Sequence, residues 1–269
     1  MHRINKFKRV LLGLIISILL KNAAFGDSVT PDLKFGLNGR THPVGAQIAS
    51  TGGFGVPLWG DPSTWKYGYI RAAANLATSV VVNRAGIEMQ VYPISILGFS
   101  AGYDSGVRNF VPKYLDCSIF QCNGRVDRKY LKGTVILASH GVIFSMLTRF
   151  EELRAFGATK DFFDEMSLLH GKSTGERVLT YNPALLYTLN EAYKVGFTSL
   201  YSRALDSGGY SHLYGPIVTW SDCKNWNVIG GVGLNESVLV QSGIAAFFSI
   251  QYTILPSISI QDMAIRVRN

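Results

Sequence analysis

From Gly243 to Ile254 the chain alternates with a period of two. Ile244, Ala246, Phe248, Ile250, Tyr252 and Ile254 form one set, and Gly243, Ala245, Phe247, Ser249, Gln251 and Thr253 form the other. Successive side chains of a strand point to opposite faces, so this pattern predicts a strand with one apolar side and one mostly wettable side. The same two-faced pattern recurs upstream. In 83–92, Ala85, Ile87, Met89 and Val91 oppose Arg84, Gly86, Glu88 and Gln90. In 95–104, Leu97, Phe99, Ala101 and Tyr103 oppose Gly98, Ser100 and Gly102. In 177–189, Leu179, Tyr181, Leu185, Tyr187 and Leu189 oppose Thr180, Asn182 and Thr188.

Alternating segments separated by Gly, Pro, Asn, Asp and Ser run along the chain with no linker or composition break after residue 30. They predict strands at 32–42, 45–56, 65–77, 83–92, 95–104, 126–139, 142–151, 177–189, 193–204, 212–222, 225–235 and 241–254. The two longest connections, 105–125 and 152–176, follow strands of the same direction, whereas the turns at Pro93-Ile94, Gly141 and Asn190 to Ala192 are short. Short turns at one end and long loops at the other are the habit of outer-membrane barrels. Within 152–176, the run from Thr159 to Gly171 predicts a short helix, with Phe162, Met166 and Leu169 on one side and Thr159 and Gly171 as caps.

The first 26 residues predict a signal peptide. Lys6, Lys8 and Arg9 supply a basic start, Val10 to Leu20 an apolar stretch, and Ala24-Phe25-Gly26 a small-residue cleavage site. The apolar stretch is about eleven residues, well short of the roughly 20 that span a bilayer as a helix. Five basic residues and no acid lie in this leader, so its removal lowers the net charge from +8 to +3. That balance is too mild to argue for nucleic acid. Residues 27–254 then form one barrel, and 255–269 is either a periplasmic tail or, from Ile258 to Val267, the closing strand itself. The expected fold is all-β: an antiparallel up-and-down transmembrane β-barrel of about twelve strands, with ten or fourteen as alternatives.

The last strand resembles the C-terminal assembly signal of outer-membrane proteins, an alternating strand that normally ends the chain on an aromatic. This chain departs from it by continuing to Arg266-Val267-Arg268-Asn269. The resemblance implies the Gram-negative outer membrane, its lipid as surroundings, and the barrel assembly machinery and periplasmic chaperones as partners during biogenesis. Cys117 and Cys122 in DCSIFQC suit a loop disulfide in an oxidising compartment. Cys223 is left over, and no second Cys or His pair has finger-like spacing, so no metal is expected.

Catalytic chemistry finds little support in the motifs. The outer-membrane phospholipase family is similar in architecture, but its serine stands two residues after its histidine, and none of His2, His42, His140, His170 and His212 is followed that way. The protease family of such barrels pairs an Asp-His couple with two aspartates at the outer rim. Asp206 with His212, and Asp104 with Asp116, match in type but not in spacing. His140 and Ser145 read as a turn histidine and a lumen serine. The glycine runs 52–55 and 230–233 lack the Lys-Ser/Thr ending of a phosphate loop, so no cofactor is expected. Charges on wettable faces remain: Arg71, Arg84, Glu88, Lys132 and Arg149 are the candidate lumen-lining residues. Mixed signs favour internal ion pairs over a selective anion path, and twelve-strand sugar-acid porins offer only an analogy of shape. The expectation is a small channel for ions or small polar solutes without catalysis. A rim enzyme acting on lipid or peptide, and an adhesion barrel working through its long loops, are the alternatives.

Overall fold

In the computed structural model the described residues are 29–258, apart from 63, 80, 110–115, 123 and 223–224. The segment predicted as a signal peptide, Cys223 and residues 259–269 lie outside them. Twelve strands form a closed antiparallel barrel: β1 (Thr30–Thr41), β2 (Val44–Trp59), β3 (Gly68–Ser79), β4 (Val82–Ile94), β5 (Leu97–Arg108), β7 (Gly124–Ser139), β8 (Val142–Ala155), β11 (Glu176–Thr188), β12 (Tyr193–Ala204), β13 (Tyr210–Ser221), β14 (Trp226–Ser237) and β15 (Gly243–Leu255). Each barrel strand pairs with the next in sequence, and β15 closes on β1 from Leu33↔Leu255 to Arg40↔Phe247. Among the described residues, closure gives every barrel strand a neighbour on both sides, which a lipid environment requires of any spanning sheet.

Outward faces carry the large apolar side chains. Ile87 is 65% exposed, Leu131 62% and Ile244 71%, values that suit lipid rather than water. Outward aromatics gather near the two rims. Tyr187, Tyr193, Trp226 and Tyr252 stand at the short-turn end, with Trp226 against Tyr252 at 4.6 Å. Tyr201 and Tyr210 stand at the long-loop end. Amphipathic rings favour these headgroup levels.

The short turns are built by local chemistry. Between β7 and β8, His140 (φ 49°) and Gly141 (φ 81°) both take the left-handed region, as a two-residue hairpin turn demands. Ser139 Oγ lies 2.7 Å from His140 Nδ1. Ser145 is further along β8, opposite Ile136 and Ala184, and forms no pair with His140.

Two sequence expectations require correction. The third strand begins at Gly68, not 65, because Trp65 and Lys66 lie in a turn ahead of it. The helix expected over 159–171 is absent. Its residues form β9 (Asp161–Asp164) and β10 (Leu169–Gly171), which join β6 (Phe120–Gln121) in a three-stranded sheet ordered β10-β9-β6. Extended chain sends Phe162 and Phe163 to opposite faces. Phe162 packs with Leu153, Leu169, Val178 and Ala204, and Phe163 with Cys122 and Leu168. One helical face cannot serve both clusters, so tertiary packing overrides the local spacing. Met166, expected on the buried helical stripe, is 41% exposed.

Candidate functional site: a charged, constricted lumen

Strand register decides which side chains face the lumen. Asp32, Gly53, Ala73, Glu88, Gly102, Tyr130 and Glu151 follow one another around the wall as cross-strand partners. Arg71, Arg84, Glu88, Lys132 and Arg149 all project inward on these registers. Charge is concentrated on β1–β8. The inward positions of β12–β15 include Ser202, Ser211, Gly215, Ile217, Thr219, Gly231, Gly233 and Ala245.

The charges are cross-linked. Arg71 meets Asp32 side on, with Nε at 2.7 Å and Nη2 at 2.5 Å from the two carboxylate oxygens. Lys132 Nζ lies 2.9 Å from both oxygens of Glu88, which also accepts from Gln90 and, at 2.8 Å, from the Tyr130 hydroxyl. That last bond crosses β5. Tyr130 and Glu88 are both partners of Gly102, and a side chain at Gly102 would occupy the space of the Tyr130 ring. Arg128 reaches Asp104 at 2.9 Å and Asp164 at 2.5 Å, and approaches Glu151 at 3.5 Å without hydrogen-bond geometry. Arg149 lies 2.6 Å from Glu151 and 3.9 Å over the Tyr130 ring. Basic and acidic groups thus alternate around one half of the wall.

Both ends of the lumen are narrowed. At the long-loop end the three-stranded sheet lies across the mouth. Arg128 holds Asp164, Arg40 donates to the Glu165 carbonyl at 3.1 Å, and Ser237 donates to the Leu168 carbonyl at 3.4 Å. Arg108 pairs with the Glu165 carboxylate and donates to the carbonyls of Gln121, Cys122 and Phe163. The Cys117–Cys122 disulfide, with an S–S distance of 2.05 Å, ties the loop beside β6. Burial opposes ionisation of Asp164, but the Arg128 guanidinium and the Ser167 hydrogen bonds outweigh it and hold the carboxyl below its usual range. Glu165 goes the other way: burial pushes it up further than Arg108 pulls it down. At the short-turn end the chain turns inward after β15. Ile258 is 4% exposed and packs with Tyr67 and Tyr69, while Ser257 lines the lumen.

Between these closures lies a polar cavity of about 360 Å³, lined by Lys34, Asn38, Thr51, Arg71, Lys132 and Gln251 among others. A second cavity of about 210 Å³, bordered by Asn75, Arg84, Glu88, Asp104 and Arg149, shares Ala49 and Thr51 of β2 with the first. Small residues on β2 and β3 leave this space open, and the Glu88–Lys132 pair has Lys132 on the first cavity and Glu88 on the second.

Sequence reasoning missed Asp32 as the partner of Arg71, and Asp104, Arg128 and Glu151 as members of one cluster. Asp104 and Arg128 share parity with Ser100 and Lys132 on their strands, so alternation carried the signal. Asp164 carried none, because its segment reads as helical. The rim aspartates do not assemble a protease-like site: Asp104 is buried against Arg128, whereas Asp116 is exposed and accepts from the Ser118 amide. Asp206 is held by Arg177 at 2.6 Å, and that hydrogen bond keeps its carboxyl below the usual range.

No family model matches the chain, and no curated protein matches it. Solved barrels are similar in outline. The translocator domain of the autotransporter NalP from Neisseria meningitidis is 13% identical with a TM-score of 0.39, covering 91% of this chain and 95% of that one. The KdgM porin is 12% identical with a TM-score of 0.42, over 82% and 98% of the two chains. The NanC porin is 9% identical with a TM-score of 0.42, over 82% and 98%. This chain is a transmembrane β-barrel by its own strand closure and lipid-facing surface.

Proposed function

We propose that this protein resides in the outer membrane and passes ions and small polar solutes along the β1–β4 side of its lumen. The observation that carries the reading is the pair of polar cavities sharing one wall of β2, between a loop sheet at one mouth and the inturned chain at the other. A barrel interior needed only for stability has no use for two adjacent polar cavities, because apolar side chains fill a lumen at no electrostatic cost. Export by the leader, assembly by the outer-membrane machinery and periplasmic chaperones, and residence in outer-membrane lipid complete the proposal.

Planar-bilayer recording of the refolded barrel tests it. Small, discrete openings are expected, and they grow when residues 158–173 are replaced by a short Gly-Ser linker. A barrel that migrates as folded on an unheated gel, yet stays silent both intact and with the linker, rejects the channel.

A further inference from the structure

The outer wall carries a polar constellation that the lumen reading does not use. Tyr181, Tyr201, His212 and Glu236 are successive cross-strand partners over β11, β12, β13 and β14. Their strand neighbours Ser202, Ser211 and Ser237 face inward, the last donating to the loop sheet, so this row faces outward. His212 is the third residue of β13, which places the row in the aromatic belt of the long-loop rim.

Beside this row, Ser199 is the cross-strand partner of Tyr214, and its Oγ lies 2.8 Å from His212 Nε2. The imidazole is flanked by Tyr201, edge-on at 5.6 Å, and by Tyr214 at 4.5 Å. Glu236 stands directly opposite His212 and accepts from the Tyr214 hydroxyl at 3.1 Å. Opposed side chains on one face of a sheet lie about 5 Å apart at Cβ. A hydroxyl within reach of a histidine, beside a carboxylate, has the parts of an activated nucleophile. Serine and histidine stand on neighbouring strands thirteen residues apart, and only the barrel register brings them together.

We infer that Ser199 and His212 form an ester-hydrolysing pair on the outer wall, acting on acyl esters of membrane lipids at the headgroup level. The depth selects the substrate: the row faces the bilayer where ester groups meet water, and the apolar wall below it accepts an acyl chain. Ser199 Oγ forms a bond to the acyl carbon as its proton passes to His212 Nε2. The ester C–O bond then breaks, and the departing alcohol oxygen takes that proton. Water attacks the acyl-serine, His212 takes the water proton and returns it to Ser199 Oγ, and a fatty acid leaves. The sum is ester plus water to acid plus alcohol. Glu236 is a positioning residue: it holds the Tyr214 hydroxyl, and the Tyr214 ring packs against the imidazole.

The test uses the full refolded barrel in detergent micelles, with a fluorogenic phospholipid ester as substrate and a fluorophosphonate probe. The wild-type protein should turn over the ester and carry the probe on Ser199. Ser199→Ala should abolish both. His212→Gln should lower turnover by about 10²–10⁴-fold, the usual weight of a general base. Glu236→Gln should lower kcat with KM unchanged while leaving the heat-dependent gel shift intact. A folded wild-type barrel that neither reacts with the probe nor hydrolyses the ester overturns the inference and leaves Ser199–His212 a plain hydrogen bond of the rim. Turnover unaffected by Ser199→Ala overturns it equally. Conductance plays no part in these readouts, so the channel can stand or fall separately.

Discussion

Arg128 concentrates the energetics of the wall in one side chain. It is almost fully buried and faces Asp104, Glu151 and Asp164 together. Removing one partner from a buried ionic cluster leaves uncompensated charge, which costs about 3–5 kcal/mol. Arg128→Ala should therefore lower unfolding stability by that amount, as read from urea titration of the micellar barrel. An apolar residue on the outer face obeys the opposite rule. Ile87 sits mid-strand on β4 and is largely exposed, so Ile87→Lys should cost about 2–4 kcal/mol in a bilayer. The same substitution should cost little in a water-filled lumen, so the measured loss checks which face meets lipid.

At the scale of elements, the loop sheet stands apart from the hydrogen-bonded ladder of the barrel. Its polar anchors to the wall include Arg128–Asp164 and the Arg108 contacts, while Phe162 and Leu169 give it an apolar footing. Asp164 has a depressed pKa, so its contribution is present above the unfolded value of about 3.9 and is lost as pH falls through the folded one. Glu165 is raised and works in the other sense: its protonation on acidification relieves a buried charge. The anchor should hold at neutral and mildly acidic pH and loosen below about pH 4. Hydrogen exchange over 156–175 should rise there while the barrel strands stay protected, and Asp164→Asn should bring the rise to neutral pH. The sheet also shows where sequence patterning fails. Phe162, Met166 and Leu169 fit a helical stripe, but Phe162 and Phe163 fill two separate clusters that exist only once β6 and the barrel wall are in place.

Across the whole molecule, the closed barrel makes the two faces different solvents. Inward charges on β1–β8 carry both signs, with Arg71 set against Asp32 and Lys132 against Glu88, but basic groups outnumber acids, and Lys34, Arg71 and Lys132 all border the first cavity. Any conductance should accordingly favour small anions over small cations. Asp32→Asn should free the Arg71 charge and shift the reversal potential further toward anion preference in a salt gradient. An unchanged reversal potential would place the ion path away from Arg71.

The sequence by itself determined the strands, their two faces and the inward parity of the charged residues, because side-chain alternation is a local property of extended chain. Arg84 and Glu88 are legible for that reason, and so are Asp104 and Arg128 once their strands are extended. Tertiary structure alone decided which inward charges meet. Glu88 reaches Tyr130 across Gly102 only after three strands are in register, and Asp164 joins Arg128 only because a loop folds back over the mouth. It also decided that Ser199 stands beside His212 on the outer wall. These pairings depend on register and closure, which are set by the sum of all twelve barrel strands and not by any one segment.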